Sequence, residues 1–367
     1  MRLLYLTDRL SHRGGAPHHL LDVIQAMAHR HTVTVAAASI DRDVHLPTGV
    51  VFQKLSGLRS VVSRDNGLGG LPSLLQDADC VHIQNVMNPR AIDMVTTQPC
   101  VVTVQDHRVF CPGPGRTLPT GRQCDLPMGD QACTQCLSEA SYRQRMIALT
   151  AERRDAIARA SQVIVLSDYM SRELTGAGLN SVVVIPPSVK TGPPRTGPGH
   201  GFLIAGRIVH HKGTDLAVDA WVRSGTDHPV SIAGLGPLMD ELGPVEQLGW
   251  LSRTELRKAM ASARAVLFPA RWQEPLGIVG LEALAMGTPV IAMATGGMSD
   301  WADAGTIVVP PGDVAAMASA IHDMASDGPK AQRLGAAGSA MVRERFRQSV
   351  LTERLDHLYS SVVSGPA

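Results

Sequence analysis

Residues Arg271 to Gly287 read RWQEPLGIVGLEALAMG, and this stretch anchors the fold. An apolar strand and loop, VLFPARWQ, runs into Glu274, and a second acid, Glu282, follows inside an Ala/Leu/Met-rich run that should be helical. A helix rises about 1.5 Å per residue, so one that begins near Gly277 puts Glu282 about a turn and a half from its start. One carboxylate then sits in the entry loop and the other on the early helix. Between them the N–H groups of Leu276, Gly277 and Ile278 lack intrahelical acceptors, and the helix dipole adds partial positive charge. Gly277 lets an anion approach the backbone, and the two acids offer acceptors to hydroxyl groups. The stretch describes a phosphate with a sugar on either side.

Two Glu residues at this spacing occur by chance in many helical proteins, so the neighbouring sequence matters. Upstream, GRIVHHKG supplies Gly206, Arg207, Lys212 and Gly213 directly after a strand. Two cations at a strand's carboxyl end would stabilise a departing diphosphate without a metal. Taken alone the pair reads as an ordinary surface Arg and Lys. Around it a βα rhythm is regular, with strands expected at Phe202 to Ala205, Val230 to Ala233, Ala265 to Phe268, Val290 to Met293 and Thr306 to Val309. Helices are expected at Val314 to Ser326 and, as one run, Lys330 to Ser361.

The same rhythm fills the first half. Arg2 to Thr7 is apolar on both faces, as a buried parallel strand is. A Gly-Gly loop at Gly14 and Gly15 follows, then an amphipathic helix from His18 to His29 and a strand from Thr32 to Ser39. Further strands are expected at Asp79 to Gln84, Cys100 to Val104, Val163 to Leu166 and Val182 to Pro186. Ligands of open α/β sheets bind at strand carboxyl ends, which favours a ligand role for Gly14 and Gly15 over a plain turn. Between the halves, PPSVKTGPPRTGPGHG (Pro186 to Gly201) has no apolar periodicity and marks a domain boundary.

Length and composition agree with two domains. The chain has 367 residues, 44% hydrophobic and 18% charged, with a formal net charge of +1. It is long for one core, and its charge gives no pull toward nucleic acid. No apolar run approaches the roughly 20 residues that span a bilayer, and MRLLYLTDRL is charged too soon for a signal peptide. A cytoplasmic protein without a transmembrane segment is expected. Ser141 to Ser161 is arginine-rich; a solvated face is the default reading, and a grip on an anionic acceptor or a peripheral contact with an acidic membrane is the minority one.

Cys111, Cys124, Cys133 and Cys136 form C-x12-C-x8-C-x2-C in a Pro/Gly-rich loop with few apolar residues. Four thiolates around a structural Zn²⁺ would supply the missing stability; disulfides and free thiols are the alternatives. A catalytic zinc does not fit, since sulfur would fill all four positions.

The run PARWQEPLGIVGLEALAMGTPVIAMATGG resembles the sugar-nucleotide site of GT-B glycosyltransferases of the retaining GT4 family. The matching positions are Pro269, Glu274, Gly277, Glu282, Ala283, Ala285, Gly287, Pro289, Val290, Gly296 and Gly297. Gly206, Arg207, Lys212 and Gly213 match that family's G-R-x-x-x-x-K-G. The resemblance implies two Rossmann-like domains facing a cleft: residues 1–190 for the acceptor, with the cysteine loop at 111–136; residues 191–345 for the nucleotide-sugar donor; and a helix at 346–367 packing back on the first domain. It implies a metal-independent, retaining transfer from a UDP- or GDP-type donor to an acceptor. Arg207 and Lys212 would meet the diphosphate, Glu282 the ribose, and Glu274 the sugar. Gly14, Gly15, Gly206, Leu276, Gly277 and Ile278 would lie along the phosphates. Gly234, in IAGLGP, matches a further glycine segment, and Leu251 with Trp250 would read the base through the backbone.

One departure stands out. Gln105 occupies the place where the resemblance would put a histidine on the donor sugar, and His107 lies two residues later. Gln105 as a substitute and His107 as a replacement are both open at this point. The alternatives to a transferase are a GT-B sugar-nucleotide epimerase or hydrolase, a donor-binding module without turnover, and an interaction protein that uses the cysteine loop.

Overall fold

The computed structural model describes residues 1–193 and 195–365. Pro194, in the expected linker, and the last two residues of the expected terminal helix segment lie outside the described residues. The chain divides into two compact units. Unit 1 comprises Met1–Gly115, Asp125–Ser188 and Gln348–Ala367; unit 2 comprises Arg116–Cys124 and Val189–Arg347.

Unit 1 is built on strands β1 (Arg2–Leu10), β2 (Thr32–Ile40), β3 (Val51–Lys54), β4 (Cys80–Gln84), β5 (Cys100–Thr103), β6 (Gln162–Val165) and β7 (Val182–Val184), with helices α1 (Gly15–Met27), α2 (Leu71–Gln76), α3 (Pro89–Val95), α4 (Ala140–Ile157) and α5 (Asp168–Gly176) between them. The sheet is parallel in the order β3-β2-β1-β4-β5-β6-β7. Along β1, Leu4 and Leu6 enter one core while Leu3 and Tyr5 enter the other, as a strand with period two requires. The second core is completed by Leu351, Leu355 and Tyr359 of the last helix. A buried polar chain fastens that helix: Tyr5 Oη lies 3.0 Å from Tyr359 Oη, which lies 2.6 Å from His82 Nδ1, and His82 Nε2 lies 2.7 Å from Thr103 Oγ1.

Unit 2 repeats the design with β8 (Phe202–Ala205), β9 (Val230–Ala233), β10 (Glu246–Gly249), β11 (Ala265–Phe268), β12 (Val290–Met293) and β13 (Thr306–Val309), connected by α6 (Thr214–Ser224), α7 (Arg253–Ser262), α8 (Ile278–Ala285), α9 (Val314–Ser326) and α10 (Gly328–Arg345). Its sheet is parallel in the order β10-β9-β8-β11-β12-β13. In both sheets the order reverses beside the first strand, at β1/β4 and at β8/β11. Such switch points leave a crevice at the strands' carboxyl ends, where ligands bind.

Three expectations change. The single helix expected from Lys330 to Ser361 is two, α10 and α11 (Gln348–Ser364), because the backbone leaves the helical region at Phe346, φ −121°. The arginine-rich α4 is not simply a solvated face. Arg143 pairs with Asp130 at 2.8 Å, and Arg153 donates to the carbonyls of Met87 and Arg108; both arginines are buried. The four cysteines are not gathered. Cys111 and Cys136 both flank Gly113 in unit 1, whereas Cys124 ends a small hairpin that belongs to unit 2. Among the described residues no three His, Cys, Asp or Glu are placed to hold a metal ion, so the structure gives the expected structural zinc no support.

Candidate active site

The loops that leave β8 and β11, the two strands flanking the switch point of unit 2, carry the charged residues. After β8 the chain turns at Gly206, φ 140°, passes Arg207, and makes a short 3-10 turn at His210–Lys212 before α6. Gly213 caps α6 in the left-handed region, φ 70°, with its Cα against the carbonyl of Pro269 in the β11 loop. A side chain there would collide with that backbone, so glycine is required for the two loops to meet.

Their meeting joins Lys212 to Glu274. The ammonium donates to Oε1 of a carboxylate that is only 6% exposed, while the lysine itself remains 25% exposed. The same ammonium lies 4.9 Å from the centre of the Trp272 ring, and the ring of His211 packs at a tilt against Trp272 with centroids 4.9 Å apart. Arg207 Nη2 lies 3.4 Å from His211 Nε2. Burial first, then the positive charges of Lys212 and Arg207, push the His211 pKa down to about 4. A neutral imidazole beside the two cations adds no third positive charge to the site.

Glu274 is held from behind. Gly296 donates 2.8 Å to the Gln273 side chain, and Gly297 donates 2.7 Å to the carbonyl of Glu274. Gly296 has φ 56°, and a Cβ there would meet the Glu274 backbone, which explains the Gly-Gly pair after β12. The hairpin Arg116–Cys124 contributes too: Gln273 N–H donates 3.3 Å to Thr117 Oγ1.

Helix α8 starts at Ile278, with Gly277 as a left-handed N-cap, φ 83°. No side chain caps it, and of its first-turn N–H groups that of Gly280 turns back to the Gly277 carbonyl at 3.0 Å, while those of Ile278 and Val279 have no intrahelical acceptor. Leu276 is buried, and its carbonyl accepts 2.6 Å from Trp301 Nε1, which fixes the chain just before the helix. Glu282 lies one turn along, its Oε1 3.2 Å from Nη2 of Arg253 at the start of α7. Gly234, φ 157°, packs on the Gly206 backbone at the end of β9. Leu251 is half-buried beside an exposed Trp250 in the loop after β10.

In unit 1, Gly14 is the N-cap of α1, φ 98°, and Gly15 is its first residue. Gln105 follows β5 and is fully engaged: its Oε1 accepts 2.8 Å from Gln84 Nε2, and its Nε2 contacts His19 Nδ1 at 3.0 Å. Gln84 Nε2 also donates 2.8 Å to the carbonyl of Ala16. His107 turns elsewhere, with Nε2 3.1 Å from Tyr169 Oη and its ring against Phe110. His107 is thus built into the packing around Tyr169 and Phe110.

The structure thus brings Lys212 and Glu274 into contact and sets Arg207 one residue contact away through His211. It gives Glu282 an arginine neighbour. Sequence reasoning missed His211, Trp272, Gln273, Arg253, Thr117 and His19. The adjacent His210-His211-Lys212 run was the available signal for the first; nothing local marks Thr117, which reaches Gln273 from far away in sequence.

Residues 198–341 match the family described as glycosyl transferases group 1. Among curated proteins the chain is 29% identical to a glycogen synthase of Mycobacterium tuberculosis over 236 residues, 57% of this chain and 56% of that one. It is 30% identical to a D-inositol 3-phosphate glycosyltransferase of Kineococcus radiotolerans over 226 residues, 48% of this chain and 52% of that one. The chain spans about half the length of these relatives. Among solved structures it is similar to Anabaena HepE in complex with UDP and glucose, with TM-score 0.72, 18% identity, and coverage of 98% and 99% of the two chains. It is also similar to sucrose-phosphate synthase of Thermosynechococcus elongatus, with TM-score 0.71, 18% identity and 99% of each chain. The fold is GT-B, with two parallel α/β units.

Proposed function

We propose that this GT-B chain, whose second unit carries the glycosyl transferases group 1 domain, is a glycosyltransferase that moves a sugar from a nucleoside diphosphate to an acceptor. The observation that carries the reading is the Lys212–Glu274 pair, set at the switch point of unit 2 beside Arg207 and the uncapped start of α8. Cations and first-turn N–H groups suit a diphosphate, and acids suit sugar hydroxyls.

In this reading Arg207 and Lys212 stabilise the negative charge that grows on the diphosphate as the anomeric C–O bond breaks. The N–H groups of Gly277 and Ile278 add fixed donors on the same leaving group. Glu274, tethered by Lys212, accepts from the sugar hydroxyls and orients the ring. Glu282 accepts from the ribose. Leu251 and its neighbours meet the base, a UDP- or GDP-type nucleotide. Transfer with retention places the acceptor oxygen on the same face as the departing phosphate, which takes the acceptor's proton; no side chain then needs to act as base, and no metal is asked for. The engaged state of Gln105 is compatible with such chemistry.

The test is a discontinuous assay of nucleoside diphosphate release from UDP-, GDP- and ADP-sugars with a panel of sugar acceptors, followed by NMR of the product. An acceptor-dependent product with the donor's anomeric configuration supports the proposal. Release of free or epimerised sugar without an acceptor supports the epimerase or hydrolase alternative instead.

A further inference from the structure

The geometry points to a carboxylate-binding recess in unit 1, at the carboxyl ends of β4 and β5, with Arg153 and Asn85 as its donors. Neither residue has a part in the nucleotide reading above, and every residue of the recess belongs to unit 1.

Arg153 reaches the recess from α4 and is only 7% exposed. Its Nε donates 3.4 Å to the carbonyl of Met87 and its Nη1 donates 3.1 Å to that of Arg108, so the loops after β4 and β5 fix the plane of the guanidinium. The remaining Nη2 has no partner among the described residues and is not sealed from solvent. The acid that lines the recess, Asp106, is already taken: Arg108 donates to it at 2.9 Å from the backbone N–H and at 2.8 Å from Nε. No carboxylate among the described residues pairs with Arg153. Buried charges are ordinarily paired, and this one is met only by carbonyls. Burial first, then the charge of Arg108, holds the Arg153 pKa below the ordinary arginine value, as befits a cation short of its counter-charge.

Asn85, the residue after β4, gives a second and independent sign. Its backbone is left-handed, φ 59°, a conformation that costs a residue with a side chain and costs glycine nothing. What asparagine adds over glycine there is its carboxamide. That group lines the same recess, is half-buried, and makes no side-chain hydrogen bond among the described residues. Ile92 of α3 and Ile157 of α4, both buried, wall the recess. A carboxylate carries one charge in a plane, which matches one unpaired guanidinium nitrogen and one amide, with its carbon skeleton against the apolar wall. A phosphate dianion asks for more donors than these two supply. Two sources share the chemistry: an acidic sugar that serves as acceptor, which rests on the transferase reading, and a free small acid.

The test is thermal unfolding of the full chain, without nucleotide, in sodium acetate, sodium glucuronate, sodium phosphate and glucose, each against sodium chloride at matched ionic strength. Two variants are compared with the wild type: Asn85→Gly, which keeps the backbone conformation, and Arg153→Met, which keeps most of the side chain's bulk. The expected result is a saturable Tm rise of about 3 °C or more with a carboxylate at ten times its half-saturating concentration, no rise with glucose, and loss of most of the rise in both variants. A rise with glucuronate but not acetate assigns the recess to an acidic sugar; a rise with acetate as large as with glucuronate assigns it to a free acid. No saturable rise with either carboxylate in the wild type, an equal rise in either variant, or a larger rise with phosphate overturns the inference. Should Arg153→Met fail to fold, Asn85→Gly decides by the same criterion. An arginine that only ties two loops together predicts a destabilised Arg153→Met and no effect of carboxylate on any of the proteins. Because no nucleotide enters the experiment, the transferase reading can fail while the recess stands, and the reverse.

Discussion

The ammonium of Lys212 donates to a carboxylate, Glu274, that is almost wholly buried, although the two residues are held by loops from different strands. Removing one partner of such a pair leaves the other buried and uncompensated. Lys212→Ala is therefore expected to cost about 3–5 kcal/mol of unfolding free energy, whereas Glu274→Gln, which keeps a hydrogen-bond acceptor, should cost about 1–2 kcal/mol. Both should abolish most turnover. Urea denaturation beside the release assay checks this: equal stability of wild type and Lys212→Ala would show the contact to be incidental.

Gly296 supports the same carboxylate from below. An alanine there must adopt φ 56°, and its Cβ would lie about 2.6 Å from the Glu274 backbone nitrogen. The expected cost is about 1–3 kcal/mol, with the Glu274 loop displaced and kcat/KM lowered more than the stability loss alone explains. A Gly296→Ala protein with wild-type kinetics would mean that the position of the loop is unimportant to the chemistry.

Acid should destabilise unit 1 earlier than carboxylate titration alone would. Burial depresses the His82 pKa to about 3 and that of His19 to about 4. An unfolded histidine titrates near 6.5, so below that pH the unfolded chain binds protons that the folded chain refuses. The stability these residues contribute is full above about pH 6.5 and is lost as the pH falls toward their folded values, at up to about 1.4 kcal/mol per pH unit for each. Between pH 6.5 and 5, unfolded carboxylates are still largely ionised, so the slope there belongs mainly to histidines. Urea midpoints across that window should fall, and His82→Gln should flatten the fall. A flat profile in the wild type would show that these rings protonate freely in the folded state.

Much of this fold was legible because its strands are short apolar runs, most of them buried on both faces. Phe202–Ala205, Val230–Ala233, Ala265–Phe268, Val290–Met293 and Thr306–Val309 stand where the apolar runs lie. Two edge strands were not legible. Val51–Lys54 and Glu246–Gly249 lie at sheet edges, exposed along much of their length, so no apolar run marks them. The break at Phe346 escaped notice because no Pro or Gly announces it; the chain turns there so that α11 can add its apolar face to the core of unit 1.

The site followed the same division. Gly277 before a helix and the acids around it could be read from local spacing, since backbone donors and helix periodicity are local properties. The partners that fix those acids could not. Lys212 with Glu274, Arg253 with Glu282 and Thr117 with Gln273 are separated by tens of residues and meet only through strand order. The cysteine spacing was no guide either: Cys124 belongs to the hairpin grouped with unit 2, while Cys111 and Cys136 flank Gly113 in unit 1.

The central claim is that unit 2 takes a nucleoside diphosphate on Arg207, Lys212, Glu282 and the start of α8. It is tested most directly by thermal unfolding of the full chain with UDP-, GDP-, ADP- and dTDP-sugars, repeated on Arg207→Ala and Glu282→Ala. A ligand at a hundred times its Kd stabilises the folded state by about 2.7 kcal/mol, a Tm rise of roughly 5–10 °C for units of this size. The account predicts such a rise for one nucleotide class in the wild type, and loss of most of it in both variants. An equal rise in all three proteins, or none with any nucleotide, would contradict it.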